Sequence, residues 1–128
     1  HPDATAVICP HDSTVSGICN ALRRLMEQRP APTALLVANP NHYLTIASRL
    51  SQMGWRVPED VSVVSRDEDP FLSYLLPTPA RYVTNAYALA KSLLRPVLEL
   101  LAGGAVTHRA VRIMPSFVRG ESLMPPRR

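Results

Sequence analysis

The stretch PTALLVANPNHYLTIASRLSQMGWRVPEDVSVVSRDEDP, residues 32–70, decides how this chain is read. Its segment TALLVA, residues 33–38, is a continuous apolar run. Six residues are too few for a helix, so the run reads as a strand covered on both faces. Asn39-Pro40-Asn41 breaks it. Leu44, Ala47, Leu50 and Met53 then recur at helical spacing, with Gly54 placed to cap the helix end. Val57-Pro58-Glu59-Asp60 is a turn, VSVVSR (61–66) is a second apolar strand, and Asp67-Glu68-Asp69-Pro70 is an acidic loop.

Working outward, ATAVIC (4–9) reads as a further strand, bounded by Pro2 and Pro10. The loop His11-Asp12-Ser13-Thr14 is rich in capping side chains. Val15, Ile18, Cys19, Leu22, Leu25 and Met26 follow at helical spacing. On the other side, residues 71–80 are interrupted by prolines and are expected to be irregular. Residues 81–84 form a short strand. Asn85 caps a long Leu-rich helix that Gly103-Gly104 ends, with a kink or restart expected at Pro96. Residues 109–114 alternate like a strand with one wet face, and 116–119 continue it; the tail from residue 123 is expected to fray. Alternating strands and helices imply an α/β fold: a parallel sheet with helices on both faces, a three-layer lobe.

Bulk composition narrows the classes. A chain of 128 residues with 46% hydrophobic content is one globular domain rather than a disordered segment. No apolar run approaches the roughly 20 residues of a membrane span. The net charge is +4 and 13 of the 14 basic residues are Arg, but they are scattered, without the basic stripe that nucleic-acid binding needs. The two cysteines, Cys9 and Cys19, cannot make a disulfide framework and read as reduced core residues. The chain begins His1-Pro2 without an initiator Met, so we expect a piece of a longer protein.

In parallel sheets, ligands sit outside the C-terminal ends of the strands. Three loops meet that condition: 10–14, 39–42 and 66–70. They offer His11, Asp12, Ser13, Asn39, Asn41, His42, Arg66, Asp67, Glu68 and Asp69. Carboxylates and amides at strand ends suit polyol hydroxyls, since each oxygen takes a directed hydrogen bond. The same residues also serve as helix caps and turn formers. Enzyme signatures are missing: no GxSxG, no Walker loop and no glycine-rich dinucleotide turn. Asp67 and Glu68 are adjacent, so on an extended chain they point apart rather than forming an acid/base pair. No recognised spacing supports a metal site, and no cofactor is expected.

Residues 15–122 resemble the effector-binding domain of LacI/GalR-type transcriptional regulators. The resemblance rests on Pro32-Thr33-Ala34, Ala38-Asn39, Gly54, Val57-Pro58, Asp60-Val61-Ser62-Val63-Val64, the acidic turn Asp67-Glu68 and the closing MPSFVRGES, in that order. It implies a periplasmic-binding-protein-like type I fold of two lobes, of which residues 1–122 are mainly the C-terminal one. The N-terminal lobe and helix-turn-helix head do not appear in this sequence. By resemblance, Asn39 and Asp67 contact a small polar, sugar-like effector, with Asp12-Ser13 beside it and Arg66 in place of the family's aromatic. Pro40 and Ser65 are further departures. The resemblance also implies a homodimer through residues 42–53 and 71–82, with Tyr43, Ala47, Leu50, Phe71, Tyr74 and Leu75 as exposed interface residues. It implies a cytoplasmic protein that reaches operator DNA only through the separate head. A periplasmic solute-binding protein shares the fold and is the alternative; a flavodoxin-like enzyme domain is disfavoured by the absent phosphate loop.

Overall fold

A computed structural model describes residues 5–105 and 110–126. It contains helix α1 (Val15–Met26), strand β1 (Ala34–Val37), helix α2 (Pro40–Gln52), strand β2 (Ser62–Ser65), a short 3-10 turn (Pro70–Tyr74), strand β3 (Ala80–Val83), helix α3 (Ala86–Leu101) and strand β4 (Ser116–Val118). The four strands form one sheet in the order β1-β2-β3-β4. β1, β2 and β3 run parallel, with Leu35 opposite Val63 and Ser65 opposite Arg81. β4 returns antiparallel, pairing Tyr82 with Phe117.

The helices begin where capping chemistry places them. Thr14 Oγ1 accepts from Gly17 N at 3.0 Å and starts α1. Asn39 Oδ1 accepts from Asn41 N at 2.9 Å, and Pro40 at the first helical position needs no donor of its own. α2 ends at Gly54, whose φ of +80° is the left-handed conformation a helix end favours and only glycine adopts without strain. Asn85 caps α3 by accepting from Ala88 N.

The core lies between α1, α2, β1, β2 and the 3-10 turn. It joins Leu22, Met26, Val37, Tyr43, Leu50, Val61, Val63 and Leu72, with Trp55, Phe71 and Leu75 packed against it. Tyr43 is 2% exposed and Leu50 0%, so neither is available to a dimer face. The face of α2 that carries both turns inward onto the sheet, because only that side meets β1 and β2. Ala47, Phe71 and Leu75 are half-buried against the same core, which leaves Tyr74, at 86% exposure, as the accessible member of that expected interface set.

The closing segment is locked in place. Ser122, fully buried, donates from Oγ to Val63 O at 2.5 Å and accepts from Ala80 N at 2.9 Å. Its backbone O accepts from Val63 N, and its N donates to Thr78 O. Gly120 sits directly on the backbone of Thr78, Pro79 and Ala80, where a β-carbon has no room. Ser62 Oγ both donates to Met124 O and accepts from Met124 N, each at 3.0 Å. Order therefore reaches past residue 122, and the tail expected to fray is pinned at Met124; residues 127–128 lie outside the described residues.

Two further expectations are corrected. Residues 5–9 form no strand, and Ile8 is 92% exposed, because the segment pairs with no edge of the sheet. Ala4, the first residue of that expected strand, and Arg109, the first of the later one, lie outside the described residues; residues 110–115 are unpaired, and only Ser116–Val118 joins the ladder. At Pro96 α3 does not restart: it is one helix from Ala86 to Leu101. Helix α3 also buries none of its residues, although its apolar periodicity is strong.

Candidate functional site

The loops that leave the parallel strands gather at one side of the sheet. Asn39 follows β1 and is exposed. Arg66 and Asp67 follow β2, where Arg66 N still donates to Val37 O at 2.8 Å, extending the ladder one residue. Ser65, fully buried, donates from Oγ to Asp67 O at 2.7 Å and fixes the start of the acidic turn. Asp69 ends that turn by accepting from Phe71 N, which sets the 3-10 turn going. The loop before α1 joins the group through an aromatic contact: the His11 and His42 ring centroids are 5.0 Å apart at 69°.

Each residue expected at the site has a local role as well. Asp12 Oδ1 accepts from Thr14 N at 3.0 Å and Thr14 Oγ1 at 2.7 Å. These bonds, the side-chain one foremost, hold its carboxyl below the usual carboxylate range. Ser13 has φ of +64°, a strained conformation for a residue with a β-carbon, held by its N–H to His11 Nδ1 at 3.0 Å. Asn39 uses its carbonyl oxygen as the cap of α2, and its amide NH2 group has no partner among the described residues. Arg66 donates from Nε at 3.1 Å and from a terminal nitrogen at 2.7 Å to the same oxygen of Asp67, Oδ2. That hydrogen bonding, with the neighbouring charge, raises the Arg66 pKa further above its ordinary value.

Asp67 lines an open depression of about 500 Å³ with Glu68, Pro70 and Thr84. Glu68 meets Arg81 at 3.3 Å, because the register sets Arg81 opposite Ser65, at the base of the acidic turn. Asp67 and Arg66 are thus brought together, but of the expected site residues only Asp67 lines that depression; Asp12, Ser13, Asn39 and Arg66 do not. Arg81 and Thr84 had no signal in the linear sequence: their place depends on strand order and register. A second depression of about 350 Å³, lined by Trp55, Pro58 and Met124 among others, lies at the opposite ends of the strands, beside Thr33 and Ser62. Among the described residues, no group of three or more His, Cys, Asp or Glu could hold a metal ion. Cys9 and Cys19 are free and half-buried.

Comparison with known proteins agrees with this architecture. Residues 2–123 match the periplasmic binding protein-like domain family. The transcriptional regulator MalR of Streptomyces coelicolor is 26% identical over 125 residues, covering 97% of this chain and 28% of that protein. The transcriptional repressor PurR of Vibrio atlanticus is 35% identical over 98 residues, covering 77% of this chain and 29% of its own length. A LacI family transcriptional regulator from Bifidobacterium animalis subsp. lactis superposes with a TM-score of 0.80 at 25% identity, over 91% of this chain and 43% of that one. The chain thus spans less than a third of the length of these two sequence relatives. With its parallel strands, its cluster of polar loops at their C-terminal ends and these relatives, the chain belongs to the periplasmic binding protein-like domain family and corresponds to part of the effector-binding domain of LacI-type regulators.

Proposed function

We propose that this chain is the ligand-sensing and dimerisation portion of a bacterial LacI-type DNA-binding regulator, acting in the cytoplasm and without catalysis. One observation carries the reading: Asn39 and Asp67 leave adjacent parallel strands at the same sheet end, where parallel sheets bind ligands. The free amide of Asn39 donates and the remaining carboxylate oxygen of Asp67 accepts, a pairing suited to a small polyhydroxylated effector. The relatives' regulatory roles support this over a periplasmic solute-binding protein. A ligand here shifts a regulator between states only through its differential affinity for them.

Two surfaces fit the remaining parts of such a protein. Tyr74 and Leu76, both strongly exposed on either side of Leu75, are our candidates for the homodimer face. The apolar side of α3 is our candidate for packing against the second lobe, and operator DNA would be reached through a separate head. The test is calorimetry on the intact regulator with an effector found by screening sugars for altered operator binding. Asp67→Ala and Asn39→Ala should each weaken binding by about tenfold or more; without ligand the thermal midpoint should stay put in Asp67→Ala and fall modestly in Asn39→Ala, which also loses the cap of α2. Unchanged effector affinity in Asp67→Ala would remove Asp67 from the site.

A further inference from the structure

The carboxylates of the site are not equally free. Glu68 is matched by Arg81 and Asp67 by Arg66, while Asp12 turns one oxygen back onto Thr14. What remains on the same loops is mixed: the second oxygens of Asp12, Asp67, Glu68 and Asp69 accept, and a set of donors stands beside them. Arg66 binds one oxygen of Asp67 through two of its nitrogens, which leaves its third nitrogen without a partner among the described residues. His11 accepts from Ser13 N through Nδ1, so the ring proton sits on Nε2. The Asn39 amide donates outward, and the His42 ring forms no hydrogen bond among the described residues. Arg66 and Asp67 therefore present a guanidinium N–H and a carboxylate oxygen side by side.

We infer that the effector is a hydroxylated anion, a sugar-like molecule carrying a phosphate or carboxylate group, and that Arg66 selects for the anionic group while Asp67 takes a neighbouring hydroxyl. This rests on the effector-binding reading and names the ligand class of the same site. The geometry sets the roles. A guanidinium is permanently charged and offers planar, paired donors that match phosphate and carboxylate oxygens. An effector without an anion meets the free oxygen of Asp67 but leaves the free side of the guanidinium unused. An effector with one engages the free side of the guanidinium without breaking that clamp. Arg66 is exposed, so replacing it removes the selection without disturbing the core.

The experiment is calorimetry on the intact regulator with matched probes: glucose and glucose 6-phosphate, ribose and ribose 5-phosphate, galactose and galacturonate, with inorganic phosphate alone as a reference anion. The anionic member of at least one pair should bind about tenfold or more tighter than its neutral partner. Arg66→Met should abolish that preference while the neutral member binds about as before, and Arg66→Lys should retain part of the preference. The phosphate and carboxylate pairs show which anion is meant. Neutral probes binding as well as anionic ones, a preference that survives Arg66→Met, or no binding by any anionic probe at millimolar concentration each overturn the inference. A neutral sugar that alters operator binding in an Asp67-dependent way would overturn it while leaving the proposed function intact.

Discussion

Ser122 and Tyr43 act at the scale of single side chains. The Ser122 hydroxyl serves Val63 O and Ala80 N in a fully buried position, so Ser122→Ala leaves polar backbone groups of β2 and β3 short of partners. Such groups cost about 1–3 kcal/mol each, and urea unfolding should show a loss of about that size. Tyr43 lies within the core, 2% exposed. Burial raises its pKa above the ordinary value of 10.0. A raised folded pKa on an acid means the folded state holds its proton more tightly. The stability this contributes is complete below the unfolded pKa and is lost as pH rises through the folded one. Unfolding free energy should therefore fall above about pH 10, and Tyr43→Phe should flatten that alkaline slope. An identical slope in both proteins would assign the effect to other groups.

At the scale of elements, legibility followed the strength of the local signal. α1, α2 and α3 begin at Thr14, Asn39 and Asn85, capping residues that the linear sequence places directly ahead of each helix. β1 and β2 were readable because apolar runs between turn residues have few other uses. Residues 5–9 carry the same pattern and form no strand, since a strand exists only when another strand accepts its hydrogen bonds. Pro96 does not break α3, so its missing N–H and the crowding of its ring are accommodated within the helix. The inward side of α2 differs from the expected exposed face for a related reason. Helical spacing identifies an apolar stripe, but Tyr43 and Leu50 became core only once that stripe met the sheet.

At the scale of the whole molecule, α3 is the outstanding feature. Eight of its large apolar residues are exposed, from 42% at Leu89 to 79% at Leu101. An amphipathic helix with nothing buried contributes little to the stability of the unit that carries it. Leu93→Glu with Leu98→Glu should therefore leave the unfolding midpoint of this chain unchanged within about 0.5 kcal/mol and reduce its self-association in sedimentation. In the intact regulator the same pair should be strongly destabilising, because the face is then covered. A large loss of stability in the isolated chain would show that α3 packs here after all.

From the linear sequence alone came the parallel α/β arrangement, the helix boundaries, the family and the loops that carry Asn39 and Asp67. These follow from local rules, in which periodicity, caps and turn residues act within a few positions of one another. Only the tertiary structure decided that Arg66 closes on Asp67, that Arg81 reaches Glu68, that His11 meets His42 and that Ser122 ties β2 to β3. Arg81 depends on strand register, the histidine pair on two helices packing together, and Ser122 on residues 42 and 59 positions away. Even Arg66 and Asp67, adjacent in sequence, needed the Ser65 bond to Asp67 O and the ladder bond from Arg66 N to settle how the turn leaves β2.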